Sequence, residues 1–519
     1  MPLKLETLFA KLNRSAPVNY SEQVIAGISF DSRSVQSGYV FFALPGEKTD
    51  GHLYIESAIK AGAKLIIVQQ GYLSPNEVPS SVPVVEVPDV RESLAWAADL
   101  FYGSPSLQVP LIGVTGTNGK TTTTHLIAQL LADAKTGLIG LSGTLGGKIF
   151  GPNHTCLDLG EGSGRTTPEA PELQEVLAKL VEEGCRFLTI EVSSHALHQK
   201  RVLGCHFTTT VFTNLTQDHL DYHLNMENYF QAKGILFELQ SAERELRDRT
   251  AILNADDPYT QRYLSKIGSG IEVIRYGIDS PDAEVKASEL RLRPEGGIQA
   301  ELESPWGKGT LLMPLVGRFN LYNALAAIAV ALSHGVSFED CLQIMRSIKP
   351  ADGRFQVINK PVSGLPTCIV DYAHTPDSLQ NVLQTARPLL SERGKLICVF
   401  GCGGDRDSTK RPLMGGIAVQ LADFSYITSD NPRSEDPNQI IADILTGVPS
   451  LSKVEVEPDR AIAIQKAILN SSPQDLIVIA GKGHETYQIV GKETYHFDDR
   501  EEVSKAYLRY AAQKESHLE

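Results

Sequence analysis

The chain reads as an α/β protein of three domains, for three reasons. Its 519 residues, 42% of them hydrophobic, exceed what one core holds at ~100–200 residues per domain. Apolar strand-like runs alternate with glycine turns and helical stretches. In the last third, polar loops follow the strand runs at their carboxyl ends, the pattern of a doubly wound sheet.

Residues 1–105 are expected to form a small amino-terminal α/β domain. Its strands are the runs VIAGISFD, YVFFAL, KLIIV and PVVEV, bounded by Gly, Pro and polar turns. FYGSPSLQVP, residues 101–110, reads as a linker. Residues 106–345 follow as a central domain, a P-loop ATPase-type parallel sheet. In it VPLIGVTG leads into TNGKTTTTHLIAQLLADA, and FLTIEV, TTVFTN and TAILNA supply further buried strands. The helical NLYNALAAIAVALSHG precedes IKPADGRF. Residues 346–519 form a carboxy-terminal Rossmann-like α/β domain with strands in CIVDYAH, KLICVFG, FSYITSD and DLIVIAGKG. The tail SKAYLRYAAQKESHLE reads as a terminal helix, and the chain has no repeat of solenoid length.

Bulk chemistry narrows the partners. A net charge of -14 without a basic stripe argues against nucleic acid, whose phosphates need clustered Lys and Arg. The start MPLKLETLFAKLNRSAP has no signal-peptide apolar core, and no run nears the ~18 apolar residues of a membrane span. A cytoplasmic protein without membrane insertion is expected. The seven cysteines show no C-x-x-C pair and read as reduced thiols.

The strongest motif is Gly116-Thr117-Asn118-Gly119-Lys120-Thr121, after the strand LIGV and at a helix start. Backbone N–H groups and the helix N-terminus there would cradle phosphates. Lys120 would meet the terminal phosphates and Thr121 a magnesium ion. The strict spacing fails at one place, since Val114 stands where the first glycine belongs. Asn118, Thr122, Thr123 and Thr124 are open to a reading as ordinary helix-start residues, which is favoured for Thr123 and Thr124.

Further along, EVSSHAL puts Glu191 at a strand end, where it would hold magnesium or simply end the strand. TNLTQDHLDYH packs Asp218, His219, Asp221 and His223 together, with the two histidines at i and i+4 of a helix. His219 reads equally as a hydrogen-bonding residue or a ligand. Lys233, in NYFQAKGILF, reads on its own as a surface lysine whose stem packs on apolar neighbours. His374 in DYAH reads as a possible cap of the following helix.

Taken together and in order, TGTNGKTTT, EVSSHAL, TNLTQDHLDYH, YFQAKGILF, GRFNLYNALAA, DYAHTPDSL, GCGGDRD and GKGHE resemble the Mur ligase family of peptidoglycan synthesis. FDSRSVQSGYVFFALPGEKTDGH is similar to the nucleotide-sugar-binding domain of the branch that adds the third peptide residue, so the resemblance spans nearly the whole chain. It implies a monomeric ATP-dependent ligase that activates the D-glutamate carboxylate of UDP-N-acetylmuramoyl-L-alanyl-D-glutamate as an acyl phosphate and joins it to a diamino acid. SDNPRSEDP points to meso-diaminopimelate rather than lysine. The related folylpolyglutamate synthetases are disfavoured by the amino-terminal segment and DNPR. A nucleotide-driven switch, the reading from another class, would release phosphate without any amine.

The resemblance also assigns residues. Gly116, Thr117, Asn118, Gly119, Lys120, Thr121 and Thr122 would bind ATP, with Asn323 and Asp371 at adenine and ribose and Arg354 at phosphate. Lys233 would be carbamylated to N6-carboxylysine and, with Glu191 and His219, hold a second magnesium ion. Phe30 and Ser32 would lie near uridine, and Thr166, Thr167, Ser193, Gln199 and Arg201 along the muramoyl peptide. Arg165 stands where related sequences often carry asparagine, after the Gly-rich LDLGEGSG, which implies a different grip there. Arg406 and Arg433 would engage the distal carboxylate of the diamino acid. Asp430, Asn431 and Pro432 would meet neighbouring polar groups, and Gly481 and Glu485 the far amine and carboxylate.

Overall fold

A computed structural model describes residues 3–11, 23–46, 49–72, 82–134, 137–160, 165–293, 297–361, 364–391 and 393–516. Parts of the opening stretch, of the Gly-rich segment before Arg165 and of the terminal tail lie outside the described residues.

Alternation of apolar residues on both faces makes the first sheet a sandwich filling. Its four parallel strands, Gly27–Ser29, Tyr39–Ala43, Leu65–Gln69 and Val84–Val87, pair in chain order. Val40, Phe42, Leu65 and Ile67 point to helices Leu5–Lys11 and Val90–Phe101. Phe41, Ala43, Ile66 and Val68 point to helix Ile55–Lys60.

The stretch expected to be a linker is structured. Its first residue ends helix Val90–Phe101, and Pro105–Gln108 form a helical turn in which Ser106 is buried and accepts a bond from His206 N at 3.0 Å. Satisfying a buried backbone donor of the next sheet requires order there.

The central sheet has 11 strands, not all parallel as expected. Strand Leu111–Thr115 lies between Phe207–Phe212 and Cys185–Glu191, and the parallel set extends from Val285–Leu292 to Leu138–Gly143. Antiparallel strands close both edges: Ile298–Ser304 and Gly307–Met313 on one side, Gly146–Gly151 and Thr155–Asp158 on the other. Short turns join these edge hairpins, whereas most parallel connections of the interior run through helices; Glu272–Gly277 passes to its parallel neighbour Val285–Leu292 with no helix between them. Helices Lys120–Asp133 and Arg318–Ser333 pack together on one face, and Ala170–Glu182 and Met226–Ala242 cover the other. Each fully buried Leu or Ile of these layers contributes about 1.5–3 kcal/mol.

The third sheet orders its strands Gln356–Val357, Thr367–Asp371, Leu476–Ala480, Leu396–Phe400, Phe424–Ile427 and Val454–Val456; only the first is antiparallel. Helices Pro376–Ala386, Lys410–Leu421 and Pro437–Leu445 lie on one face. Arg460–Leu469 and Asp499–Ser516 lie on the other, as a doubly wound sheet requires. Among the described residues no helix is long and apolar enough to cross a membrane. All seven cysteines are free, and only Cys156 is exposed.

Candidate active site

Because neighbouring strands of the central sheet run parallel, their carboxyl ends open at one rim, and there the polar motifs meet. The loop after Leu111–Thr115 turns through Gly116 at φ 152° and Gly119 at φ 87° before helix Lys120–Asp133 begins. A Cβ at Gly116 would strike Thr213 Oγ1, and one at Gly119 would strike Asn323 Oδ1, so only glycine fits either turn. Lys120 folds back so that Nζ donates to Gly116 O and Thr117 O, each at 2.9 Å. Desolvation lowers its pKa, and the carboxylates of Glu191 and Asp218 oppose that shift.

Glu191 ends the adjacent strand with its carboxylate toward this loop. Thr121 Oγ1 donates to Oε2 at 2.8 Å, and Thr144 N donates to Oε1 at 2.8 Å. Lys233 is buried, which corrects the surface reading of its sequence context. Helix Met226–Ala242 carries its Nζ beneath the loop, where it donates to Gly116 O at 2.8 Å and lies 4.4 Å from the Tyr229 ring centre. Burial, then the nearby Lys120, hold its pKa well below that of an ordinary lysine.

His219 and His223 do not share a helix face. His219 precedes the short helix Leu220–His223 with φ 56°, while His223 Nε2 pairs with Ser194 Oγ at 2.9 Å. The His219 ring instead meets His195 at 4.8 Å between centres. Burial lowers the His219 pKa well below its usual value, against the opposing pull of Asp218.

A cavity of 470 Å³ joins these groups to the third domain. Thr117, Asn118, Gly119, Lys120, Thr121, Thr122, Thr166, Glu191, His219, Asn323, Arg354 and Asp371 all line it. Arg354 Nη2 donates to Thr121 Oγ1 at 3.2 Å, and the guanidinium lies over Tyr372, 4.4 Å from the ring centre. Asp371 accepts from Phe355 N at 2.6 Å. Asn118 Nδ2 donates to Asp377 Oδ2 at 2.7 Å across the domain junction. The helix after DYAH is capped by Thr375 and Ser378, not by His374. His374 Nε2 and Lys410 Nζ each lie 3.8 Å from Asp218.

Sequence reasoning quoted Asp218 without giving it a role and passed over Lys410. Burial raises the Asp218 carboxyl, yet His219, Lys410 and His374 together hold it below the usual carboxylate range. A lysine and an imidazole that reach Asp218 from another domain leave no trace in the spacing around it.

A second group of expected residues clusters beside the cavity. Thr167 Oγ1 donates to Glu191 O at 2.8 Å and accepts from Ser193 N at 3.0 Å. Arg201 donates to Thr167 O at 3.0 Å and to Gln199 Oε1 at 2.6 Å. Its Nε pairs with Glu169 at 3.0 Å, and Arg165 and Arg91 approach the same carboxylate at 3.7 and 3.9 Å. Glu169, missed from sequence, sits in the TTPE run whose helix it opens as a capping box. Phe30 and Ser32 follow strand Gly27–Ser29 on the amino-terminal sheet and do not line the cavity.

The third cluster lies at the carboxyl ends of Phe424–Ile427 and Leu476–Ala480. Asp430 accepts from Asn431 N at 2.6 Å, and a Cβ at Gly481 would approach Asp430 Oδ2 to 2.6 Å. Asn431 Nδ2 donates to Glu485 Oε2 at 2.9 Å. Arg433, at φ 52°, donates to Gly404 O at 2.8 Å, and Pro432 O packs against Gly404. Arg406 donates to Asp405 O at 2.9 Å, and its charge is felt by Asp221 and His195 of the central domain. Lys482, another residue the sequence reading passed over, joins this cluster through Glu485.

Comparison with known proteins agrees across the chain. Residues 114–331 match the Mur ligase middle domain, 353–483 the Mur ligase glutamate ligase domain, and 24–102 the Mur ligase family catalytic domain. The UDP-N-acetylmuramoyl-L-alanyl-D-glutamate–2,6-diaminopimelate ligase of Gloeobacter violaceus is 46% identical over 93% of this chain and 94% of its own. That of Geobacillus thermodenitrificans is 45% identical over 96% and 98%. A solved structure of a ligase of that name superposes with a TM-score of 0.66 at 33% identity, covering 99% of this chain and all of the other. Matches to three successive segments, and relatives sharing nearly half their residues along almost the full length, make this chain a member of the Mur ligase family.

Proposed function

We propose that the protein is a cytoplasmic, monomeric, ATP-dependent ligase of peptidoglycan precursor synthesis. It adds meso-diaminopimelate to the D-glutamate of UDP-N-acetylmuramoyl-L-alanyl-D-glutamate and releases ADP and phosphate. The observation that carries this reading is the phosphate-loop cavity walled by both central and third domains, flanked by the Arg201 and Arg433 clusters. The relatives named above as diaminopimelate ligases support it. The nucleotide sugar, ATP and amino acid would fall to domains 1–105, 106–345 and 346–519, with Phe30 and Ser32 at the uridine end.

A carboxylate acylates poorly because its oxygen is a poor leaving group, so transfer of the γ-phosphate, with ADP leaving, first makes an acyl phosphate, and the amine then attacks the acyl carbon and expels phosphate. Two anions must approach in the first step. Lys120 and the loop amides neutralise the transferred phosphoryl group. Thr166, Thr167, Ser193, Gln199 and Arg201, with Arg165 at the rim, would orient the glutamyl carboxylate. Asn323 and Asp371 would hold adenosine, and Arg354 would reach phosphate from the junction.

Among the described residues no cluster of three His, Cys, Asp or Glu side chains could hold a metal alone. Thr121 and Glu191, bonded to each other at the loop, nevertheless supply hard oxygen donors suited to magnesium, and His219 on the same wall would add an imidazole. Lys233, buried and among the described residues hydrogen-bonded to a carbonyl alone, is an amine whose charge is disfavoured by burial; in its uncharged form it would react with carbon dioxide, and the carbamate would complete the donor set. Magnesium, bound there as two ions, would offset the charge of the phosphates. Water exclusion by domain closure would protect the acyl phosphate.

The test offers purified protein ATP, magnesium and the muramoyl dipeptide with meso-diaminopimelate or L-lysine, and reads phosphate and product mass. Tripeptide from diaminopimelate alone is expected. Lysine incorporation would overturn the pocket assignment, and ATP hydrolysis with no adduct would overturn the ligase.

A further inference from the structure

We propose that Lys482 is a positioning residue for amine selection: its buried ammonium fixes Glu485 and Asn431 in the arrangement that receives the distal end of the diamino acid. This rests on the reading that the third-domain cluster takes meso-diaminopimelate.

Lys482 follows Gly481 at the end of strand Leu476–Ala480, and its side chain is 0% exposed. Its neighbours Gly481, at φ 118°, and Gly483, at φ 55°, let the chain turn tightly enough to aim the lysine inward. A Cβ at Gly483 would press to 2.7 Å on Gly353 O and on Tyr372 Cβ, so the turn is packed as well as bent.

A wholly buried ammonium persists where it is matched by charge and hydrogen bonds. Lys482 Nζ donates to Glu485 Oε2 at 2.8 Å and to Asn431 Oδ1 at 3.2 Å. Asn431 Nδ2 donates to the same Oε2 at 2.9 Å, and Asn431 Oδ1 also accepts from Ile489 N at 3.0 Å. One carboxylate oxygen of Glu485 is thus doubly held, while among the described residues no hydrogen bond reaches Oε1, the atom left for an incoming ammonium.

Charge gives the lysine a second task. Burial and the neighbouring Asp430 raise the Glu485 pKa, and Lys482 opposes both. Without it, two close carboxylates would favour protonation of one, and a protonated Glu485 accepts an ammonium poorly. Arg460 also acts on Asp430 and Glu485 but is itself paired with Asp499, and Arg406 lies near Arg433 and the carboxylates of Asp221 and Asp405. The guanidiniums of Arg406 and Arg433 would take a second carboxylate of the ligand, which L-lysine, with the distal amine alone, lacks.

Lys482→Met, Lys482→Gln and Lys482→Arg would be assayed with ATP, magnesium, the muramoyl dipeptide and meso-diaminopimelate from pH 6 to 9. For the methionine and glutamine variants the diaminopimelate KM is expected to rise tenfold or more at pH 7, with the KM for ATP unchanged. The defect shrinks as pH rises and Glu485 ionises, and preference over L-lysine falls. The arginine variant retains most of the affinity. A glutamine variant that folds, binds ADP normally and shows the wild-type diaminopimelate KM and pH profile would overturn the proposal, even if the methionine variant does not fold. Failure of the wild-type protein to use diaminopimelate would instead overturn the functional reading beneath it.

Discussion

On the proposed function, the phosphate loop and the third-domain cluster would both meet anionic ligands, by opposite means. The loop relies on backbone amides, two obligatory glycines and one lysine, all within Gly116–Thr121 and its helix. The cluster gathers side chains from four separated loops: Arg406, Asp430 with Arg433, Lys482 with Glu485, and the nearby Tyr372. Backbone amides recognise any phosphate, whereas guanidinium forks and paired carboxylates recognise one arrangement of charges. Generic chemistry is therefore local in sequence here, and specificity is dispersed.

The largest effect should come from the generic site. Lys120→Met is expected to lower kcat/KM by about a thousandfold for every amine offered, since it removes charge stabilisation at the transferred phosphoryl group. A loss confined to one amine, measured by ADP release, would break the contrast. Arg433→Lys should raise the diaminopimelate KM about tenfold or more while leaving the KM for ATP within twofold, because a point charge replaces a planar fork worth roughly 1.5–3 kcal/mol. Steady-state titration of each substrate separates the two.

Changes remote from both sites set the floor of the comparison. His206 lies with Nδ1 2.5 Å from Glu243 and Nε2 3.7 Å from Asp99, which comes from helix Val90–Phe101 of the amino-terminal domain. Burial opposes its charge, but Asp99 and Glu243 prevail and raise its pKa. A raised pKa stabilises fully below the unfolded value near 6.5 and is lost as pH climbs through the folded value. Wild-type protein should therefore melt about 2–4 °C above His206→Gln near pH 6, with the gap closing toward pH 9 in thermal scans. Cys156→Ser, at the one exposed thiol, should change neither activity nor melting temperature.

The same contrast explains what was legible beforehand. The glycine turn, Lys120 and Thr121 are contiguous, so the strand-to-helix spacing exposes them, and the parallel core strands betray themselves by continuous apolar runs. Lys233 reaches Gly116 O across 117 positions of sequence, which spacing could not reveal; its place came from family resemblance. The edge hairpins, such as Ile298–Ser304 with Gly307–Met313, were overlooked because half-exposed strands alternate without a strong apolar run. Residues 101–110 read as a linker because Gly103, Pro105 and Pro110 punctuate them, yet burial of Ser106 against His206 N orders the segment. Lys482 carried a faint signal, its i, i+3 spacing to Glu485, obscured by the flanking glycines.

Trapping the activated carboxylate tests the division between the two sites most directly. Protein, ATP, magnesium and the muramoyl dipeptide, with no amine present, would be quenched with borohydride, and the reduced alcohol of the glutamyl side chain would be sought by mass. Alcohol formed equally by wild type and Arg433→Lys, and absent from Lys120→Met, is the predicted result. Activation that requires the amine, or that fails in Arg433→Lys, would contradict a phosphate loop that works independently of the specificity pocket.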